Sequence, residues 1–293
     1  MTGPSGSLLL GGRSFAPGSF AIMAIVNRTP DSFYDRGATF AFTAALERVA
    51  EVAAQGAEIV DIGGVKAAPG DEVTVADELE RTVEFVAAVR AAHPDLIISV
   101  DTWRHEVGDA VCRAGADLLN DAWGGADPLL AEVAAEHGAG LVCTHVGQAA
   151  PRTRPHRVAY DDVTADAIVT TVGLAERAVS LGVHPDSLLI DPAHDFGKNT
   201  RHSLQLTREL DQMVATGWPV LVSLSNKDFV GETLGGLPVG ERLTGTLAAT
   251  AISAWQGARV FRAHNVVETR QVLDMVAAIQ GTRQPARTIR GLV

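Results

Sequence analysis

The chain carries only two cysteines in 293 residues, Cys112 and Cys143, and neither belongs to a Cys-x-x-Cys pair. That excludes a disulfide framework and a cysteine-based zinc site. No apolar run approaches the roughly 20 residues a helix needs to cross a bilayer, so no membrane partner is expected. Positive charge is scarce, with 24 lysines and arginines against 35 aspartates and glutamates and a net charge of −11. A nucleic-acid partner, which requires a basic stripe, is excluded on that ground. The first residues place no basic leader ahead of the short Leu8–Leu10 run, which predicts no signal peptide and a cytoplasmic location.

Several catalytic signatures are missing as well. There is no Gly-x-Ser-x-Gly nucleophile elbow, so a serine hydrolase of that kind is not expected. His145, His194 and His264 fall near strand ends, but the first strand offers no His-x-His pair. Each is read as a hydrogen-bonding residue rather than a metal ligand. The first strand also runs into Asn27-Arg28-Thr29-Pro30-Asp31 instead of the glycine-rich phosphate turn that a doubly wound sheet usually carries.

What is present is a large apolar fraction, 46%, with a mean hydropathy of +0.13. A phrase recurs through it. Gly56-Ala57, Gly115-Ala116, Gly138-Ala139 and Gly257-Ala258 each follow an Ala-rich helical stretch and precede a short apolar run. The reading is a helix ended by a left-handed glycine, a tight turn and a buried strand. Eight strands are expected, at 20–26, 58–62, 97–101, 117–120, 140–144, 187–191, 219–224 and 259–262. Helices fit between them near 41–55, 75–92, 104–114, 128–136, 163–181, 202–215, 241–256 and 267–280. This predicts an α/β fold, a single-domain (β/α)8 TIM barrel over residues 19–281. Residues 1–18 are expected to form a hairpin extension that closes the barrel bottom, and 282–293 a basic tail.

Chemistry in such barrels gathers at the C-terminal ends of the strands. Those ends carry Asn27, Asp61, Asp101, Asn120, His145, Asp191, Lys227, and Arg262 with His264. A single polar residue there is usually a helix cap; polar residues at all eight ends predict a site. Asp101, Asn120 and Asp191 supply acceptors and one amide, and Lys227 supplies a cation. That set matches a 2-aminopyrimidinone edge, whose adjacent N–H groups suit a carboxylate. Asn27, Arg262 and His264 lie at the seam of the first and last strands, where they suit a phosphate-like group with Mg2+ on Asn27.

In this pattern the sequence resembles the dihydropteroate synthase family. The matching segments are Asn27 to Phe33, Ser99 to Thr102, Asn120-Asp121, Asp191-Pro192, Phe196-Gly197-Lys198, Gly245 to Ala249 and Arg262-Ala263-His264. The resemblance implies a pterin pocket formed by Asp101, Asn120, Asp191, Lys227 and Phe196. It implies pyrophosphate on Asn27, Arg262 and His264, with magnesium, and catalysis through Lys227, Asp101 and Arg262. It further implies condensation of 6-hydroxymethyl-dihydropterin pyrophosphate with 4-aminobenzoate, a pterin or sulfa- or sulfone-like small molecule as ligand, and a homodimer formed through late helices.

Three loops depart from the family pattern. The second βα loop, Gly-Gly-Glu-Ser-Thr-Arg-Pro-Gly in the family, here reads Gly63-Gly64-Val65-Lys66-Ala67-Ala68-Pro69-Gly70. The seventh, Ser-Arg-Lys-Ser, reads Ser225-Asn226-Lys227-Asp228, which removes a cation and adds an anion beside the expected carboxylate of aminobenzoate. Two like charges about 4 Å apart repel by roughly 4 kcal/mol at an effective dielectric near 20. The sixth, Gly-Ile-Gly, reads Ala193-His194-Asp195, which places side chains where the family has bare backbone. The changes cluster around the second substrate and resemble a divergent actinobacterial paralogue of the family. They predict weak or absent synthase activity. The alternatives are a fully active synthase, and a transferase that uses the same pterin with another nucleophile. The basic loop 152–157 favours the latter as an anion site.

Overall fold

The computed structural model of the chain describes residues 7–29, 41–147, 149–154 and 158–291. The expected residues Pro30 to Phe33 of the first loop and Pro155 to Arg157 of the fifth lie outside them. A short antiparallel hairpin, β1 (Leu8–Leu10) and β2 (Arg13–Phe15), comes first and turns at Gly11-Gly12. Eight strands follow: β3 (Ala21–Asn27), β4 (Ile59–Gly63), β5 (Ile97–Asp101), β6 (Leu118–Asp121), β7 (Gly140–Thr144), β8 (Leu188–Asp191), β9 (Leu221–Ser223) and β10 (Val260–Ala263). They are all parallel, in the order β8-β7-β6-β5-β4-β3-β10-β9. A bridge between Ile190 and Val220 joins the two ends of that row and makes the ring a (β/α)8 barrel.

The helices are α1 (Phe42–Ala54), α2 (Val75–Ala92), α3 (His105–Ala114), α4 (Leu130–His137), α5 (Val163–Leu181), α6 (Thr200–Arg208), α7 (Leu210–Val214), α8 (Asp228–Thr233), α9 (Leu243–Trp255) and α10 (Val266–Ile279). Two differ from the sequence reading. The helix expected over 202–215 breaks at Glu209, whose φ of −109° leaves the helical region. The short α8 at the start of the seventh loop was not expected, because its six residues are too few to show a periodicity. Left-handed glycines end α3, α4 and α5 at Gly115, Gly138 and Gly182, as the repeated glycine phrase requires.

The barrel bottom is sealed. Leu8, Leu10 and Phe15 of the hairpin are buried against Met23, Ile59, Ile97, Leu118, Val142, Leu189, Leu221 and Val260, one residue from each strand. Among the described residues no helix is long and apolar enough to cross a membrane.

Candidate functional site

Strand alternation decides what stands above that seal. Two residues further along each strand, on the same inner face, come Ile25, Asp61, Ser99, Asn120, Thr144, Asp191, Ser223 and Arg262. One step in the chain therefore turns an entirely apolar layer into a mostly polar one. A further step along the same face brings Asn27, Asp101, Ser225 and His264.

A cavity of about 510 Å³ opens at this end. Asp101, Asn120, Asp191 and Arg262 form its floor, and Asn27 and His264 lie at its β3–β10 side. Val65, Lys66, Ala67 and Ala68 line it from the second loop. Phe196, Asn226, Lys227 and Asp228 line it from the sixth and seventh loops. The residues expected to hold pterin and pyrophosphate and those of the altered second and seventh loops thus line one space, whereas Asp61, His145 and His194 do not line it.

Asp191 apart, the floor is one hydrogen-bonded network centred on Asp61, which is fully buried. Asp61 accepts from Ser99 Oγ at 2.6 Å, Asn120 Nδ2 at 3.2 Å and Arg262 Nε at 2.6 Å. Arg262 also donates from Nη2 to Asp101 at 3.1 Å. Burial opposes the Arg262 charge, but the two carboxylates more than offset it and raise its pKa. Burial pushes Asp101 up to about 7, with Arg262 opposing and Asp61 adding to the rise. The sequence marked Asp61 as a strand end but not as a site residue. Nothing in one sequence distinguishes a carboxylate that faces the cavity from one beneath it that orients the others.

Two lysines organise the sixth loop. Lys198 Nζ donates to the carbonyls of His145, Ala193 and Phe196 at 2.8, 3.1 and 2.8 Å. Lys227 Nζ donates to the His194 carbonyl at 2.6 Å and lies 4.9 Å from the centre of the Phe196 ring. Burial lowers Lys227 to about 8 while Asp191 and Asp195 support its charge. Burial raises Asp191, opposed by Lys227. Ala193 and Asp195 have φ of +48° and +70°, so the backbone keeps a shape that favours glycine after the glycines have gone. Asp195 accepts from the Phe229 backbone N–H in α8 and from Ser203 of α6, which ties the sixth loop to the seventh. Asn226, with φ of +55°, is of a residue type that tolerates the left-handed region.

On the rim, Ala67 packs into an aromatic cluster with Trp103, Trp123 and Phe196. Asp228 bonds Arg242 at 2.9 Å and pairs with Arg154 at 3.6 Å, so its charge is met within the chain. Arg152 donates to the carbonyls of Ala68 at 3.3 Å and Asp71 at 2.6 Å.

The histidines point apart: His145 to Asp166, His194 to Thr207 and His264 to Ser225. Among the described residues, the one grouping with metal-like spacing is His105, Glu106 and Asp127, where Asp127 caps the start of α3. Magnesium on a phosphate-bearing ligand needs only one or two protein oxygens and keeps several waters. Asn27 offers a neutral amide oxygen, and Gly63 beside it leaves room that a Cβ, 3.6 Å from that oxygen, would occupy.

Residues 23–264 match the family profile described as pterin binding enzyme. A protein of Mycobacterium leprae named inactive dihydropteroate synthase 2 is 60% identical over 97% of this chain and 99% of its own length. A dihydropteroate synthase of Streptococcus pyogenes is 34% identical over 92% of this chain and 98% of its own. The crystal structure of Yersinia pestis dihydropteroate synthase in a sulfonamide drug complex superposes with a TM-score of 0.88 at 35% identity. It covers 94% of this chain and 100% of its own.

Proposed function

We propose, since this chain belongs to the dihydropteroate synthase family of pterin-binding enzymes, that it binds a pterin-like ligand and carries out the ordinary synthase reaction weakly or not at all. The observation behind this reading is the split in the cavity. Asp101, Asn120, Asp191 and Lys227 line one space. In the altered second and seventh loops, Val65, Ala67 and Ala68 offer no hydroxyl or charge, and Asn226 replaces an arginine. Lys66 supplies a cation without an arginine's planar fork, and Asp228 is an anion paired with Arg154 and Arg242.

In this reading the Asp191 carboxylate accepts from the N–H edge of the pterin. Lys227 donates to its ring nitrogen or carbonyl and Phe196 covers its face. Bound with a pyrophosphate ester, magnesium would supply charge neutralisation for the leaving group. Asn27 would contribute one oxygen to that ion, and Arg262 and His264 would hold the phosphates. Arg262 reaches them already neutralised by Asp61 and Asp101, which weakens its pull on an anion. The exposed apolar side chains Ile252 and Trp255 of α9 and Met275 and Ile279 of α10 favour a homodimer through these helices. A cytoplasmic location accords with a folate-type substrate.

The test follows pyrophosphate release from the pterin pyrophosphate, magnesium and 4-aminobenzoate, with calorimetric binding of 6-hydroxymethylpterin in parallel. Binding with turnover well below the roughly one per second of ordinary enzymes is expected. Turnover at or above that rate overturns the inactive reading, and absence of binding overturns the pterin reading. The four changes Ala67→Thr, Ala68→Arg, Asn226→Arg and Asp228→Ser together are expected to raise turnover.

A further inference from the structure

The mouth of the cavity is crossed by a segment that the pterin reading leaves without a task. Residues 149–154 leave the end of β7 and contact three loops. At their root, Ala149 is buried with Trp123 and Val146. Gly197 lies so close to the Val146 carbonyl that a Cβ would collide with it. The segment then turns sharply, with Arg152 in the left-handed region at φ +60°. A non-glycine residue held there marks a conformation that its surroundings enforce.

Those surroundings are two unlike tethers. The Arg152 guanidinium binds neutral backbone on the second loop, at Ala68 and Asp71. Gly70 permits the approach, since a Cβ there would sit 3.2 Å from Arg152 Nη2. Arg154 reaches the seventh loop through an ion pair, to Asp228 at 3.6 Å. Its side chain is 69% exposed and that of Asp228 51%, so water and salt screen the pair. Asp228 itself is fixed from the other side by Arg242, which also donates to the carbonyls of Leu237 and Asn226. One end of the segment is therefore anchored without charge, and the other is held by a weak charge contact to a rigid post.

We propose that residues 149–154 form a strap that controls entry to the cavity, with Arg152 as its anchor and the Arg154–Asp228 pair as its release. Arg154 and Asp228 both line the cavity, so a ligand extending from the floor toward the seventh loop has to displace Arg154. Anions and salt compete for Arg154 and leave Arg152 in place. The proposal rests on the pterin reading only for its choice of one ligand, and a second probe is independent of it.

The experiment compares the whole protein with Arg154→Ala, Asp228→Asn and Arg152→Ala. Hydrogen exchange of residues 149–154 reports the strap. Quenching of tryptophan fluorescence by neutral acrylamide reports entry. Differences between variants come from Trp103 and Trp123, which pack in the cluster that holds Ala149, whereas Trp218 precedes β9 and Trp255 ends α9. The association rate of neutral 6-hydroxymethylpterin at low and high salt reports entry of a ligand. Arg154→Ala and Asp228→Asn are each expected to raise exchange, quenching and association rate roughly two- to fivefold, the range an exposed ion pair spans. High salt should do the same to the unaltered protein and nothing to either variant, and the double variant should equal the singles. Arg152→Ala should also speed exchange of residues 67–72. Unchanged exchange, or faster exchange with unchanged quenching, overturns the strap. Faster exchange and quenching without pterin binding in any variant supports the strap and overturns the pterin reading alone.

Discussion

On the floor of the cavity, Asp61, Asp101, Asn120 and Arg262 come from four different strands and satisfy one another at 2.6–3.2 Å. On its rim, Ala67 and Ala68 offer no side-chain polarity, and Ala193 occupies a backbone shape suited to glycine. Asp228 is spent on two arginines. The floor is constrained twice, by barrel packing and by mutual hydrogen bonding, so loss of one member strands the others in a buried place. The rim residues Ala67 and Asp228 reach other loops only through partly exposed packing and half-exposed ion pairs. A barrel of this kind can therefore lose its capacity for a second substrate while the pocket beneath stays assembled.

The sharpest way to break the contrast is at Asp61. Asp61→Ala removes the shared acceptor of Ser99, Asn120 and Arg262 and leaves buried Arg262 with one carboxylate partner, and about 3 kcal/mol of stability should go, toward the range known for broken buried pairs. Urea unfolding measures this. A loss no greater than that for Asp228→Ala, an exposed rim position, would show that floor and rim are constrained alike.

His145, just beyond β7, tests the same boundary through pH. Burial, aided by Lys198, lowers its pKa from 6.5 to about 4 against the pull of Asp166. Between those values the unfolded chain binds a proton that the folded chain does not. Stability is therefore full above about 6.5 and falls as the pH drops toward 4, by a few kcal/mol for a shift of this size. Unfolding measured along that window, with the His145 ring followed by NMR, should show the loss and no ring titration near 6.5. A ring titrating at its ordinary value would place His145 in solvent.

The smallest effect belongs to the rim. Ala193→Gly relieves the left-handed strain at φ +48° and should raise stability by about 0.5–1 kcal/mol, since the relief exceeds the entropy that glycine adds to the unfolded chain. A thermal shift assay detects it, and a lower melting temperature would mean that the Ala193 methyl contributes more by packing than the backbone loses.

Most of the floor was legible in the sequence because alternation and strand-end polarity follow from local pattern. Apolar Ile59 and Ile97 followed two residues later by Asp61 and Ser99 announce a polar layer. The altered rim residues were legible only against the family pattern. Asp61 as the hub, Lys198 as a clamp on three carbonyls and the Arg152 and Arg154 tethers were not legible. Each joins residues from different βα units, and one-dimensional spacing holds no record of which loops touch. The partner of Asp228 shows the same limit: its unfavourable charge was readable, but Arg242, fourteen positions away, was not identified as its neutraliser.

The ring of strands is stitched unevenly. Neighbouring strands share three to five paired positions, but β8 and β9 meet in one bridge, Ile190 with Val220. Asp191 stands at the end of one of these strands and Lys227 just beyond the other. Any guest gripped by both would act as a rivet across the loosest joint of the barrel, so closure of the wall and occupancy of the pocket become one equilibrium.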